Sequence, residues 1–120
     1  MSDLPLVDQQ SIANLRELNP GDNDEFLREI IGIYLEDTPA RIAELEESLA
    51  GGDTARFTRA AHSIKGSSSN LGAMAVRAIA ETLEHQSSKQ GLGDVVGLIT
   101  TLKQKFAETR VELSKFLPAA

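Results

Sequence analysis

Asp53-Thr54-Ala55-Arg56-Phe57-Thr58-Arg59-Ala60-Ala61-His62-Ser63-Ile64-Lys65-Gly66-Ser67-Ser68-Ser69-Asn70-Leu71-Gly72-Ala73 is the stretch from which both the fold and the chemistry are read. Asp53 follows Gly51-Gly52 and is a good helix N-cap, because its side chain can accept from the free amides of the first turn. Phe57, Ala60, Ala61 and Ile64 then recur at three- and four-residue spacing, which predicts a helix with one buried face. At about 100° per residue His62 points ~150° away from the mean direction of that apolar set, so it projects into water from mid-helix. Thr58 and Arg59 fall one turn before His62, Gly66 one turn after and Ser69 two turns after, with Lys65 on the flank. A glycine inside a helix costs roughly 0.5 to 1 kcal/mol relative to alanine, so Gly66 beside a projecting histidine suggests that something approaches closely there. The helix is expected to fray around Ser69 to Asn70, with Gly72 taking the left-handed conformation of a turn.

The rest of the chain has the same helical character. A short amphipathic helix is expected from about Asp8 to Leu18, with Val7, Ile12, Leu15 and Leu18 apolar, and Asn19-Pro20-Gly21-Asp22-Asn23 breaks it. Phe26, Leu27, Ile30, Ile31, Tyr34 and Leu35 mark a second helix, which is expected to end at Thr38 because Pro39 biases the residue before it out of the helical region. Thr38 can then cap a third, nearly collinear segment with Pro39 at its first position and Ile42, Leu45 and Leu49 as its stripe, closed by Gly51-Gly52. Beyond the His62 helix, Val76, Ile79, Ala80 and Leu83 define another from about Ala73 to Lys89. A last helix runs from Asp94 to about Phe116, with Val95, Leu98, Leu102, Phe106, Val111, Leu113 and Phe116 turned inward. No strand-like alternation, internal repeat or low-complexity tract interrupts this pattern. Each amphipathic helix needs a partner for its apolar face, and short connections make neighbours antiparallel. The expected fold is all-α, an antiparallel four-helix bundle with one or two additional N-terminal helices.

Composition sets the bounds. A chain of 120 residues with 41% hydrophobic content suits one core, so residues 1–120 are expected to form a single domain. The absence of cysteine removes disulfides, thiolate zinc sites and thiol nucleophiles. No apolar run approaches the ~20 residues of a membrane span. Met1-Ser2-Asp3-Leu4-Pro5 lacks the basic region and long apolar segment of a secretion signal, so a cytoplasmic protein is expected. A formal net charge of −6 and a pI near 4.8 weigh against nucleic acid or an anionic membrane as the main partner, which leaves another protein.

Ala61-His62-Ser63-Ile64-Lys65-Gly66-Ser67-Ser68 followed by Leu71-Gly72-Ala73 resembles the signature of histidine phosphotransfer (HPt) domains. That pattern is alanine, histidine, any residue, leucine, lysine, glycine, small residues and a leucine-glycine turn; here Ile64 replaces the usual leucine. Leu83-Glu84 matches a further family position, and the likeness extends from about Val7 to Leu117. The resemblance implies a phosphorelay intermediate in two-component signalling. His62 would be the phosphoacceptor and Lys65 would stabilise the phosphoryl charge, while Thr58, Arg59, Gly66 and Ser69 would belong to the docking surface. It implies response-regulator receiver domains, including that of a hybrid histidine kinase, as partners, and a monomeric phosphocarrier rather than an enzyme. No cofactor is expected on this chain, with Mg²⁺ carried by the receiver.

Other readings of the same residues are weaker. An exposed helical histidine is ordinarily just a solvated side chain, and His85, near the end of its helix and without a Gly-Lys neighbourhood, has that reading. Gly91-Leu92-Gly93-Asp94-Val95-Val96-Gly97 lacks the spacing and the preceding strand of a phosphate loop and reads as an interhelix turn. A metal site is not expected, since neither histidine has a carboxylate at ligand spacing. Serine hydrolysis is not expected either, because Ser63 points away from His62 and no acidic residue on that helix face orients the ring. Two further classes carry the same fold: an adaptor that docks receivers without exchanging phosphate, and the phosphoacceptor domain of a chemotaxis-type kinase separated from its catalytic part.

Overall fold

The structure, a computed structural model, describes residues 5–117, so the reading of the first residues as lacking a secretion signal falls largely outside it. Five helices follow one another: α1 (Gln9–Leu18), α2 (Glu25–Gly51), α3 (Thr54–Leu71), α4 (Met74–Gln90) and α5 (Val96–Ser114). No strand occurs among the described residues. Helices α2 to α5 pack in a ring, α2 on α3, α3 on α4, α4 on α5 and α5 back on α2. Short turns make successive helices antiparallel, which is the four-helix bundle expected, and α1 lies across α2 and α3 as the single additional helix.

The capping chemistry is local. Asp53 accepts from the Arg56 amide at 3.1 Å and starts α3, and Asp8 accepts from the Ser11 amide at 3.2 Å and starts α1. Gly72 ends α3 at φ +73°, the left-handed turn expected of it. Its carbonyl accepts from the Asp8 amide at 2.7 Å. A Cβ on Gly72 would lie 2.5 Å from Ser11 Cβ, so the close seating of α1 depends on this glycine.

The core is one cluster. Leu27, Ile31, Tyr34, Ile42 and Leu45 of α2 meet Phe57, Ala60, Ala61 and Ile64 of α3, Val76, Ala80 and Leu83 of α4, and Ile99, Leu102, Phe106 and Leu113 of α5. Three expectations need correction. Residues 25 to 51 form one unbroken helix rather than two, with Pro39 inside it and exposed. Buried positions run through it as Tyr34, Thr38, Ile42 and Leu45, so burial of a continuous stripe outweighs the local preference of the residue before proline, and Thr38 faces the core instead of capping. Helix α5 begins at Val96, not Asp94, and Val111 is exposed. The buried positions are Val95, Ile99, Leu102, Phe106, Thr109 and Leu113, a strict alternation of four and three, and in that register Thr109 takes the inward place assigned to Val111. Leu18 closes the α1 sequence but is exposed.

Candidate functional site

Helix α3 presents its polar face along α4, and the two antiparallel helices are joined there by a ladder of side-chain bonds. At one end the hydroxyls of Thr58 and Ser87 are 2.7 Å apart. At the other, Arg77 Nε donates to Ser69 Oγ at 2.7 Å, and Arg77 also lies 3.5 Å from Glu81. Between them His62 Nδ1 is 2.7 Å from Glu84 Oε2, and Lys65 Nζ is 2.7 Å from the same residue's Oε1. One carboxylate thus holds both side chains, one through each oxygen.

Exposure separates the three. The His62 side chain is 66% exposed and Glu84 is 23%, while Lys65 is 26%. The imidazole therefore stands in water with its base tied down, as its direction on the helix predicted. Lys65 is more enclosed than a flanking surface residue, because Glu84 draws it against α4. Burial pushes the Glu84 carboxyl up, but the hydrogen bonds from Lys65 and then His62 outweigh it, and the group is held below the usual carboxylate range. Ionised and acceptor-only, Glu84 accepts a hydrogen bond from Nδ1–H. The neutral ring is thereby fixed in the tautomer whose Nε2 carries the lone pair.

The remaining predicted residues divide. Gly66 is exposed, and a Cβ there would meet nothing within 4 Å, so the bundle itself does not require glycine. Arg59 is exposed on the side of α3 away from α4, beside Arg41, Glu44, Arg56 and Ser63 at the α2–α3 edge. Thr58 is half-buried, its hydroxyl engaged by Ser87, and Ser69 is exposed with its hydroxyl engaged by Arg77. Ser68 is not part of the open surface: it is fully buried and bonds the Tyr34 hydroxyl at 2.8 Å.

Two readings of His62 are corrected by Glu84. An acidic residue does orient the ring, and a carboxylate does lie within bonding distance of it. It comes from α4, 22 residues on in sequence, where inspection of one helix face cannot find it; the Leu83-Glu84 match was the available signal. Among the described residues no serine hydroxyl is bonded to the imidazole, so the Ser-His pair of a hydrolytic triad is not formed there. Among the described residues no group of three His, Cys, Asp or Glu is placed to hold a metal ion, and no helix is long and apolar enough to cross a membrane. Residues 91 to 95 form an interhelix turn, with Gly91 capping α4 at φ +82°, and Val96 and Gly97 already belong to α5.

An antiparallel helical bundle that displays one histidine, braced from below by a lysine-paired glutamate, defines a class of phosphoryl-accepting helical domains. The family model for the Hpt domain matches residues 29–112, and the chain belongs to that family. It is 29% identical over 98 residues to Multistep phosphorelay regulator 1 of Schizosaccharomyces pombe, covering 82% of this chain but 33% of that protein, so it spans about a third of that relative's length. It is 26% identical over 116 residues to Histidine-containing phosphotransfer protein 4 of Arabidopsis thaliana, covering 95% of this chain and 91% of that one. The crystal structure of histidine-containing phosphotransfer protein B from Pseudomonas aeruginosa PAO1 superposes with a TM-score of 0.84 at 28% identity, covering 92% of this chain and 93% of that chain. A maize histidine-containing phosphotransfer protein shares the fold, with a TM-score of 0.81 at 22% identity over 93% of this chain and 83% of its own.

Proposed function

We propose that this chain is a phosphorelay intermediate that takes a phosphoryl group onto His62 from the aspartyl phosphate of a receiver domain and passes it to another receiver. The observation that carries the reading is the tie between His62 Nδ1 and Glu84, which leaves the exposed ring with Nε2 free. In the forward step the Nε2 lone pair forms a bond to phosphorus while the bond from phosphorus to the aspartate oxygen breaks, and the electron pair leaves with the carboxylate. No proton has to move. The ring becomes a phosphorylated imidazolium whose Nδ1–H still donates to Glu84, and the carboxylate offsets the new positive charge.

Lys65 Nζ, 2.7 Å from Glu84, has a flexible stem with which to follow the phosphoryl oxygens as they arrive. Gly66 leaves the approach open. On this reading the aspartate and Mg²⁺ come with the receiver, and the chain acts as a phosphocarrier rather than as a kinase. It works as a monomer in the cytoplasm, where receiver domains act. Names of relatives that speak of phosphorelay and phosphotransfer support the same assignment.

The test is label transfer from a phosphorylated receiver domain, with His62→Gln as the control. The parent is expected to take up label and the variant none, with helicity retained and stability lowered by no more than the roughly 0.5 to 1.5 kcal/mol of one hydrogen bond, that to Glu84. Uptake by the variant would overturn the assignment of His62.

A further inference from the structure

The buried stripe of α4 is Val76, Ala80, Leu83 and Ser87, none more than 1% exposed, and Ser87 is its one polar member. An apolar side chain at that place would add to the core, whereas a hydroxyl shut away from water needs partners. Ser87 has two. Its Oγ donates to the Glu84 carbonyl one turn back at 3.2 Å and lies 2.7 Å from Thr58 Oγ1 on α3. A hydroxyl carries a single proton. With that of Ser87 given to Glu84, the proton of the second bond comes from Thr58, so the bonds run from Thr58 to Ser87 to the backbone of Glu84.

The bonds from Thr58 to Ser87, from His62 to Glu84 and from Ser69 to Arg77 share one register. Along α3 they advance by four and then seven residues, and along α4 they step back by three and then seven. Sliding one helix by a single position shifts it about 1.5 Å and turns its side chains by about 100°, which is enough to take Glu84 off Nδ1. Of the three bonds only that between Thr58 and Ser87 has a buried member. Nor is the seam packed shut, since an open depression lined by Thr58, Lys65, Glu84 and Lys89 runs beside it. A hydrogen bond shielded from water is electrostatically stronger than one open to it, so the register rests chiefly on Ser87.

We propose that Ser87 is a positioning residue for the phosphoacceptor. By accepting from Thr58 and donating to the Glu84 carbonyl, it fixes α4 at the level where the Glu84 carboxylate meets Nδ1, and through that carboxylate it holds the His62 ring in the tautomer whose Nε2 is free. This rests on the phosphocarrier reading. Ser87 acts through Glu84 and not on the ring directly. Thr58 is the α3 end of the brace, with its hydroxyl engaged inside the molecule. Ser68 provides the contrast: it is equally buried on α3, but its hydroxyl is bonded to Tyr34 of α2 and spans a different helix pair.

The experiment reads the ring itself. Nitrogen-15 NMR at pH ~8.5, above the ordinary imidazole value of ~6.5, reports the tautomer of His62, whose signals are assigned by their loss in His62→Gln. The parent is compared with Ser87→Ala, Thr58→Val, Thr58→Ser and Ser68→Ala, and each is also labelled with phosphoramidate, a small donor that needs no docking. Ser87→Ala and Thr58→Val are expected to shift His62 toward the Nε2–H form and to slow labelling by about threefold to tenfold, the range through which one hydrogen bond moves an equilibrium. The double variant is expected to be no worse than the worse single, because both remove the same bond. Thr58→Ser keeps the hydroxyl and the parental spectrum. Ser68→Ala is expected to lower the melting temperature yet leave the tautomer as in the parent. A parental spectrum in either Thr58→Val or Ser87→Ala overturns the proposal, as does an equal shift in Ser68→Ala, which would mark general loosening of the bundle. A parent that takes no label from phosphoramidate overturns the phosphocarrier reading instead, and the spectra still decide whether Ser87 sets the ring.

Discussion

Glu84 Oε2 lies 2.7 Å from His62 Nδ1 while its other oxygen lies 2.7 Å from Lys65 Nζ, so a single carboxylate of α4 sets the orientation of the reactive ring and the position of the nearest positive charge. Glu84→Ala frees the ring and removes the charge that offsets the phosphorylated imidazolium. Transfer to His62 is expected to fall by about tenfold or more, with helicity retained, since hydrogen bonds to charged groups of this kind contribute about 1.5 to 3 kcal/mol. Glu84→Gln keeps an acceptor but no charge, and its loss is expected to be smaller. Equal rates for all three proteins would remove Glu84 from the mechanism.

The same carboxylate has a signature in stability. Its folded-state pKa is lowered, so its contribution is present above the ordinary glutamate value of ~4.3 and is lost as pH falls through the lower folded value. The stability difference between the parent and Glu84→Gln is therefore expected to be greatest at neutral pH and to close on acidification. Denaturant titrations at several pH values measure it; a difference that stays constant down to low pH contradicts the ionised pair.

Lys65 is expected to act on charge. Lys65→Ala removes a partly exposed ion pair of the kind that contributes ~0.2 to 1 kcal/mol, so the fold persists. Transfer slows by about tenfold because phosphoryl oxygens lose their nearest cation, and Lys65→Arg retains part of the rate because the charge remains. Parental rates in both variants across a range of salt concentrations would leave Lys65 a structural role only.

Gly66 and Gly72 are expected to separate cleanly under substitution. Gly66→Ala meets nothing within 4 Å, and is expected to raise stability by up to ~1 kcal/mol. Gly66→Gln is expected to slow phosphotransfer while the bundle stays intact, because the added side chain fills the partner's approach. Gly72→Ala combines φ +73° with a contact of 2.5 Å to Ser11 Cβ, so it is expected to cost more than about 2 kcal/mol and to loosen α1. Denaturation midpoints give the sign for both glycines.

Local rules made α3 readable in advance: Asp53 as its cap, Phe57, Ala60, Ala61 and Ile64 as its buried face and Gly72 as its left-handed end all follow from spacing and side-chain chemistry within a few residues. What depends on a second helix was not readable that way. Glu84 reaches His62 only because α3 and α4 run antiparallel in one particular register. Pro39 fails to end α2 because the stripe either side of it is buried against other helices, and Thr109 displaces Val111 because α5 keeps a strict four-three register with its neighbours. Ser68, one of three consecutive serines, goes to the core because it falls four residues after Ile64 and finds Tyr34 on α2.

Tyr34 offers a probe of that core at high pH. It is the only tyrosine of the chain, and there is no tryptophan. Burial pushes its hydroxyl up to about 12, against the opposing effect of the hydrogen bond with Ser68. A raised folded-state value means that its contribution to stability is complete below the ordinary tyrosine value of ~10 and is lost as pH rises through the folded one. Tyrosinate absorbance is therefore expected to stay low through pH ~10 and to rise together with loss of helical circular dichroism, since ionising a buried phenol at the α2–α3 contact favours the unfolded chain. Tyr34→Phe removes the ionisation and leaves Ser68 without its partner, so it is expected to lower stability at neutral pH by about 1 to 2 kcal/mol and to delay unfolding on the alkaline side. A Tyr34 that titrates near 10 in the folded protein, with helicity intact, contradicts the burial of its hydroxyl.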